Sequence, residues 1–406
     1  MNPPTADQAS VRKHNTALTL DVLRHRAPLS RAELAGLTGL NRSTISSIIA
    51  DLLEQGLICE TELQTPTTGR PGMLLTLNPN GGAAVGVEIG VDFISIVLSD
   101  FEARILWQQH TITDPDAEQI TILERAESLT AEALSIAATR GLHPLGIGLG
   151  IPGLVDVRQG KLIFAPNLHW HDVPLRLMWT QRFGLPVYVE NEANAAALGE
   201  YTFGVAKDIA NFLYLSAGVG LGGGIVIDGQ LYRGSHGFAG EIGHMTLYPD
   251  GKPCGCGKVG CWETVVGPRA LIQRVRTAIQ AGGGLDGTTN SVWSGDPNAI
   301  TVEAIVEAAE AGDEIALNAL DDVAHHLSLG IANLVNIFNP ELVVLGGALN
   351  TASDFLLPVI EKTVKKNVLA PSQIGLRIAP SAHGADACVM GAVALVLDEV
   401  LRMPNL

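Results

Sequence analysis

A chain of 406 residues is longer than a single core usually grows, so two or three domains are expected, each able to bury a substantial core. Hydrophobic residues make up 47% and charged residues 17%, a globular balance, and no apolar run approaches the roughly 18 to 20 residues that cross a bilayer, which excludes membrane insertion. The formal charge of -16 would repel nucleic acid, yet residues 1–80 carry seven basic and seven acidic side chains while the rest carry nineteen against thirty-five, so the amino-terminal segment is electrostatically a separate object.

In that segment Leu18, Val22 and Leu23 recur at helical spacing between Asn15 and His25, and Pro28 ends the pattern. Ser30-Arg31-Ala32-Glu33 is a capping box, which predicts a short second helix to about Leu37. Thr38-Gly39-Leu40 makes a tight turn, and Asn41 caps a third helix with the apolar stripe Ile45, Ile48, Ile49, Leu52 and Leu53. Its other face shows Arg42, Ser43, Thr44, Ser46 and Ser47, the short hydroxyls and single Arg that a recognition helix brings to base edges in a major groove. Beyond Gly56, Leu57 to Glu62 and Met73 to Leu77 read as two strands around a wing, whose Gly69-Arg70-Pro71 holds one guanidinium stiffly for a minor groove. A three-helix pattern also serves protein docking; the wing and the charge asymmetry favour double-stranded operator DNA. Asn78-Pro79-Asn80-Gly81-Gly82 then closes a winged helix-turn-helix domain over residues 1–80.

Past residue 82, short apolar strands alternate with helical stretches: Ala84 to Val87, Ile94 to Leu98, Leu145 to Leu149 and Val187 to Val189, then Ala210 to Leu215, Gly224 to Ile227 and Leu342 to Leu345. Alternation of this kind predicts an α/β architecture. Glycine-rich strand ends at Gly90, Gly148 to Gly153, Gly218 to Gly224 and Gly346-Gly347 together imply a cleft between two lobes, since ligands of α/β sheets bind at such ends.

His244, Cys254, Cys256 and Cys261 form the densest chemical signal, one imidazole and three thiols within eighteen residues. That donor set suits a tetrahedral structural Zn2+ with no open position, so the ion would brace a loop rather than activate water. Glu241 stands three residues before the histidine and Glu263 two after the last thiol, which would fix two carboxylates beside the metal. Cys59 and Cys388 are isolated, no paired-cysteine framework appears, and the first residues carry no signal sequence; a reducing cytoplasm is the expected compartment.

Gly150-Ile151-Pro152-Gly153-Leu154-Val155-Asp156, Pro166-Asn167-Leu168, Asn191-Glu192-Ala193-Asn194-Ala195-Ala196, Glu241-Ile242-Gly243-His244, the Cys254 to Glu263 run and Gly346-Gly347 resemble the ROK family of bacterial repressors and sugar kinases. The resemblance covers nearly the whole chain. It implies an actin-like, hexokinase-like pair of α/β lobes, here expected over residues 83–192 with about 386–406, and over 193–385. By motif it assigns sugar contacts to Asn167, Asn191, Glu192, Glu241, His244 and Glu263. The chemistry agrees, because carboxylates and amides bind adjacent sugar hydroxyls in pairs.

Kinases of the family carry Asp-x-Gly-Gly-Thr in the first phosphate loop, where this chain has Glu88-Ile89-Gly90-Val91-Asp92. Val91 adds bulk and Asp92 sets a carboxylate against phosphate, a repulsion of roughly 4 kcal/mol at about 4 Å and an effective dielectric of about 20. At the general base the kinases place Asp and this chain Glu192, whose extra methylene moves the carboxylate about 1 Å, enough to cost roughly 10²-fold. Ser216 to Gly223 departs from the kinase Gly-Thr-Gly form as well. These changes resemble the repressor branch, most like its xylose-responsive members, with Glu192 a vestigial base and no catalytic activity. The expected protein is a homodimeric or homotetrameric repressor released from DNA by a free monosaccharide of xylose or glucose type; the alternative is an ATP-dependent sugar kinase that also carries a DNA-binding domain.

Overall fold

In a computed structural model, which describes residues 8–61, 73–283, 293 and 300–402, the amino-terminal segment opens with α1 (Gln8–Arg26), β1 (Leu29–Ser30), α2 (Arg31–Thr38) and α3 (Arg42–Glu54), followed by β2 (Ile58–Thr61) and β3 (Leu74–Leu77). The first helix starts earlier than the Asn15 expected from its apolar spacing, because its amino-terminal turns are held by polar rather than apolar contacts: the Arg12 guanidinium reaches Asp51 and the Ser47 hydroxyl on α3. The capping box is formed as predicted, with the Ser30 hydroxyl accepting from the Glu33 amide and the Glu33 carboxylate accepting from the Ser30 amide. The strands pair antiparallel in the order β1-β3-β2, the pairing expected of the strands that flank a wing. Arg70 and the loop that carries it lie outside the described residues.

Asn78 to Gly82 is a pinned joint. The Asn78 side-chain amide donates to the Gly56 carbonyl at 2.6 Å, and the Phe101 amide donates to the Pro79 carbonyl at 3.4 Å. The first lobe follows with β4 (Ala83–Ile89), β5 (Phe93–Asp100), β6 (Ile105–Ile112), α4 (Gln119–Thr139), β7 (Pro144–Ile151), β8 (Leu154–Asp156), β9 (Lys161–Ala165), β10 (Trp170–Val173), α5 (Leu175–Phe183) and β11 (Val187–Asn191). The second holds α6 (Glu192–Phe203), β12 (Phe212–Ala217), β13 (Leu221–Ile227), β14 (Gln230–Leu231), α7 (Pro268–Ala278), α8 (Val302–Glu310), α9 (Glu314–Phe338), β15 (Leu342–Gly347), α10 (Ser353–Asn367) and β16 (Arg377–Pro380). The last helix, α11 (Ala387–Arg402), returns to the first lobe.

The two central sheets run β6-β5-β4-β7-β11 and β14-β13-β12-β15-β16. Each joins three consecutive antiparallel strands to two parallel ones, so the lobes share one topology. Strand β4 is buried along its whole length, as a central strand covered on both faces must be. Helix α11 lies directly on it and on β7: a methyl at Gly148 would come 1.8 Å from the Ala392 carbonyl. The other side of α11 meets α6, where a methyl at Gly391 would come 1.7 Å from the Ala195 carbonyl. Both contacts require the missing side chain, because backbone meets backbone there.

One apolar cluster joins Leu20 and Leu23 of α1, Ile45 and Ile49 of α3, Ala84 and Val97 of the first sheet and Val393, Leu397 and Leu401 of α11. The amino-terminal domain is thus seated on the body by a shared core, a feature that charge and composition alone did not predict.

Candidate functional site

Four donors converge in the second lobe. Between Tyr248 and Cys261 the chain folds into a knuckle: the Gly260 amide donates to the Lys252 carbonyl at 2.9 Å, and the Cys254 amide to that of Lys258 at 2.8 Å. Gly260 has φ 78°, and a methyl on it would lie 1.6 Å from the Tyr248 carbonyl oxygen, so only glycine closes this turn. Ligand atoms of His244, Cys254, Cys256 and Cys261 lie within 4.8 Å of one another. The Cys256 and Cys261 sulfurs are 3.7 Å apart, close to the roughly 3.8 Å edge of a tetrahedron with bonds of about 2.3 Å. The donor set therefore fits a tetrahedral metal ion. Thiol chemistry points the same way: burial pushes the Cys254 and Cys261 thiols up, whereas Cys256, although burial opposes its thiolate too, is brought below its ordinary value by hydrogen bonds from the Lys258 amide and the two neighbouring thiols. Three crowded sulfurs share protons that a dication would displace on binding the thiolates.

The knuckle is tied to α9. The Trp262 indole, fully buried, donates to the His326 carbonyl at 3.0 Å, and Tyr248 Oη lies 2.6 Å from His326 Nδ1. His244 presents Nδ1 toward the Cys254 sulfur at 3.7 Å, while its Nε2 lies 3.8 Å from Glu241 Oε2. One imidazole can thus face a metal and a cleft with different nitrogens. Glu263 accepts from the Cys254 thiol at 2.8 Å through Oε1 and from the Leu221 amide at 3.4 Å through Oε2.

The remaining residues gather around the β12–β13 turn. A methyl at Gly220 would lie 2.9 Å from Glu263 Oε2 and 3.7 Å from Asn167 Nδ2, and one at Gly222 would lie 3.9 Å from Glu192 Oε1. Asn167, Glu192, Glu241, His244 and Glu263 are therefore brought to one corner, with glycines leaving the space between them. Glu192 begins α6, partly open to the cleft but surrounded by protein; burial and the Glu241 carboxylate push its pKa up to about 7. Glu241 is raised as well, by burial, with Glu263 adding repulsion that His244 partly offsets. Asn191 caps α6: its carbonyl oxygen accepts from the Ala193 and Asn194 amides and its NH2 donates to the Gly153 carbonyl at 3.0 Å, which leaves a single N–H for any ligand.

Glu190 lay in no sequence motif, whereas Glu88 opens the Glu88-Ile89-Gly90-Val91-Asp92 run. Glu190, fully buried near the end of β11, accepts from Arg233 Nε at 2.8 Å. An acidic residue inside Val187-Tyr188-Val189-Glu190 hints at a buried partner without saying which cation supplies it. Glu88 on β4 is also buried, its pKa raised by burial and by Glu192, and its Oε2 has no hydrogen-bond partner among the described residues. At the β4–β5 turn Val91 is buried and Asp92 exposed, and the Phe93 ring fills the space over Gly90, where a methyl would lie 2.4 Å from it.

On the amino-terminal domain the exposed face of α3 presents Arg42, Ser43, Ser46 and Ser47, with Thr44 half-buried. Ser43 donates to Asn41 Oδ1 at 2.7 Å, and Ser47 accepts from Arg12 at 3.3 Å. Among the described residues no helix is long and apolar enough to cross a membrane.

Residues 84–399 match the model of the ROK family. The xylose repressor of Caldicellulosiruptor bescii is 34% identical over 96% of this chain and 97% of its own. A crystal structure of a ROK family transcriptional regulator, a homologue of the Escherichia coli MLC protein, superposes with a TM-score of 0.82 at 30% identity, covering 97% of both chains. A ROK family glucokinase from Streptomyces griseus, solved with glucose and AMPPNP, reaches 0.69 at 33% identity, covering 77% of this chain and 99% of its own.

Proposed function

We infer the role of the chain from one premise: it belongs to the ROK family. It is a sugar-responsive transcriptional repressor. The observation that carries this reading is the combination, in one chain, of a three-helix amino-terminal domain seated on the body with a polar corner of Asn167, Glu192, Glu241, His244 and Glu263 beside a four-donor cluster that suits a metal ion.

In this reading a free monosaccharide of xylose or glucose type binds the corner. Carboxylates of Glu192, Glu241 and Glu263 accept from its hydroxyls, and Asn167, Asn191 and the Nε2 side of His244 supply the complementary polar groups. His244, Cys254, Cys256 and Cys261 hold a structural zinc ion, which supplies rigidity rather than a reactive water. Arg42, Ser43, Thr44, Ser46 and Ser47 on α3, with Arg70 beyond the described residues, face operator DNA, and a dimer or tetramer sets two such heads on paired half-sites. The protein works in the cytoplasm. The body comprises lobes over residues 83–192 with 386–406 and over 193–385.

The kinase reading has one observation in its favour, a Glu192 carboxyl near 7, suited to a general base. Against it stand the exposed Asp92 carboxylate where a triphosphate would approach, the Phe93 ring over Gly90 and the longer reach of Glu192. Calorimetric titration of zinc-loaded protein with xylose and with glucose, each with and without magnesium-ATP, separates the two. Saturable heat indifferent to ATP is expected; continuous heat requiring both sugar and ATP would establish a working kinase.

A further inference from the structure

The Arg233–Glu190 pair joins the two lobes beside the start of α6. Glu190 is the penultimate residue of β11 in the first lobe and is fully buried. Its Oε1 accepts from the Asn191 amide at 3.1 Å and from the Asn194 side chain at 3.3 Å, so the start of α6 is organised around this carboxylate. Its Oε2 takes two contacts from Arg233, Nε at 2.8 Å and Nη2 at 2.7 Å. Arg233 follows β14 in the second lobe, eight residues before Glu241, and its carbonyl accepts from the Ala239 amide at 3.1 Å. Gly240 packs its backbone on Gly223, where a methyl would lie 2.1 Å from the Gly223 carbonyl oxygen. The stretch that delivers Glu241 is therefore fixed at both ends, on Glu190 of one lobe and on the β13 backbone of the other.

We propose that Arg233 is a positioning residue for the sugar site: by clamping Glu190 it holds the Asn191-Glu192 end of α6 and the Glu241 loop at the separation that one monosaccharide spans. The inference rests on the sugar-binding reading above. The guanidinium touches no proposed sugar contact itself. Its two donors on one buried oxygen fix orientation as well as charge, which an ammonium cannot reproduce. Its removal leaves a buried carboxylate without its cation, and α6 and the loop shift to let water reach it.

The test uses full-length, zinc-loaded protein titrated with xylose and glucose. Arg233→Met is expected to weaken sugar binding by about ten- to a hundredfold while zinc content and sugar-free operator binding stay at wild-type values, and Arg233→Lys is expected to fall between. Adding Glu190→Gln to Arg233→Met should recover part of the loss, because an amide needs no counter-charge. Wild-type sugar affinity in Arg233→Met overturns the role. Should that variant not fold, Arg233→Lys decides, since unchanged sugar affinity there means the clamp geometry is irrelevant. No sugar heat from the wild type overturns the repressor reading itself, and this inference with it.

Discussion

The Glu192 carboxyl, enclosed at the candidate site, costs stability as it ionises. Burial and Glu241 raise its pKa from 4.5 to about 7, so the folded protein holds that proton longer than the unfolded chain does. The resulting stabilisation is complete below about 4.5, declines as pH climbs through about 7, and is gone above it. Glu192→Gln, neutral throughout, should match wild type near pH 5 and unfold at a higher temperature near pH 8; thermal melts across that range check this, and a gap constant with pH would mean that Glu192 does not titrate there. A second prediction concerns the metal corner. Cys256→Ser removes one of four donors from a loop that also carries Glu263 and lies against Glu241 through His244. It should lose the ion and weaken sugar binding by at least about tenfold, the usual effect of disturbing groups that orient a metal site. Metal analysis and calorimetry on the same folded sample decide it, and unaltered sugar affinity in metal-free protein refutes the link.

Among the elements, α3 carries the clearest division of labour. Ile45, Ile48, Ile49 and Leu52 are buried, while Asn41 holds the first turn by accepting from the Thr44 amide at 2.8 Å. Arg42 and Ser46 stand exposed on the opposite face. Arg42→Ala should therefore reduce operator affinity by about 1 to 3 kcal/mol, with sugar affinity unchanged. Anisotropy titrations at fixed salt with operator and scrambled duplexes check it: a loss shared by both duplexes would make Arg42 a phosphate contact, and no loss would remove it from the interface. This helix was legible in the sequence because cap, stripe and polar face coincide within thirteen residues. So were β4, β5 and β7, whose apolar runs reflect burial on both faces. Strand β6 was missed because it is an edge strand with Trp107, Gln108 and Gln109 in its middle, and β8 to β10 because each is only partly buried, so no continuous apolar run marks it. At the candidate site, local spacing exposed the four metal donors and the motifs exposed the carboxylates. The Arg233–Glu190 pair lay hidden because its members are 43 positions apart and nothing local links them. The capping role of Asn191 was hidden for a different reason, since an amide beside a helix start serves a cap or a ligand equally well until the backbone is placed.

At the scale of the molecule, α6 and α11 run between the candidate site and the amino-terminal domain. Both begin at the cleft, α6 with Glu192 and α11 with Cys388, whose sulfur packs over Gly150. Both end at the amino-terminal domain, where Phe203 packs against the shared core and Leu397 and Leu401 enter it. With sixteen residues, α11 spans about 24 Å at roughly 1.5 Å per residue. Its far end is fastened to α1 by an ion pair between Asp398 and Arg24, each only 14% exposed, and Arg402 adds a contact to Asp398 at 3.8 Å. The close backbone contact between Gly391 and Ala195 couples the two helices, which makes α11 the expected path from a sugar at the cleft to the amino-terminal domain. Asp398→Asn keeps the shape and removes the charge that fastens this end. It should leave sugar affinity in the absence of DNA unchanged, while the sugar lowers operator affinity by a smaller factor than in wild type. By linkage, operator DNA must weaken sugar binding by that same factor, typically 5- to 150-fold for couplings of about 1 to 3 kcal/mol. Sugar titrations with and without operator therefore measure the coupling twice in each protein. If Asp398→Asn retains the wild-type factor in both directions, the signal reaches the amino-terminal domain by a route other than the α11–α1 contact.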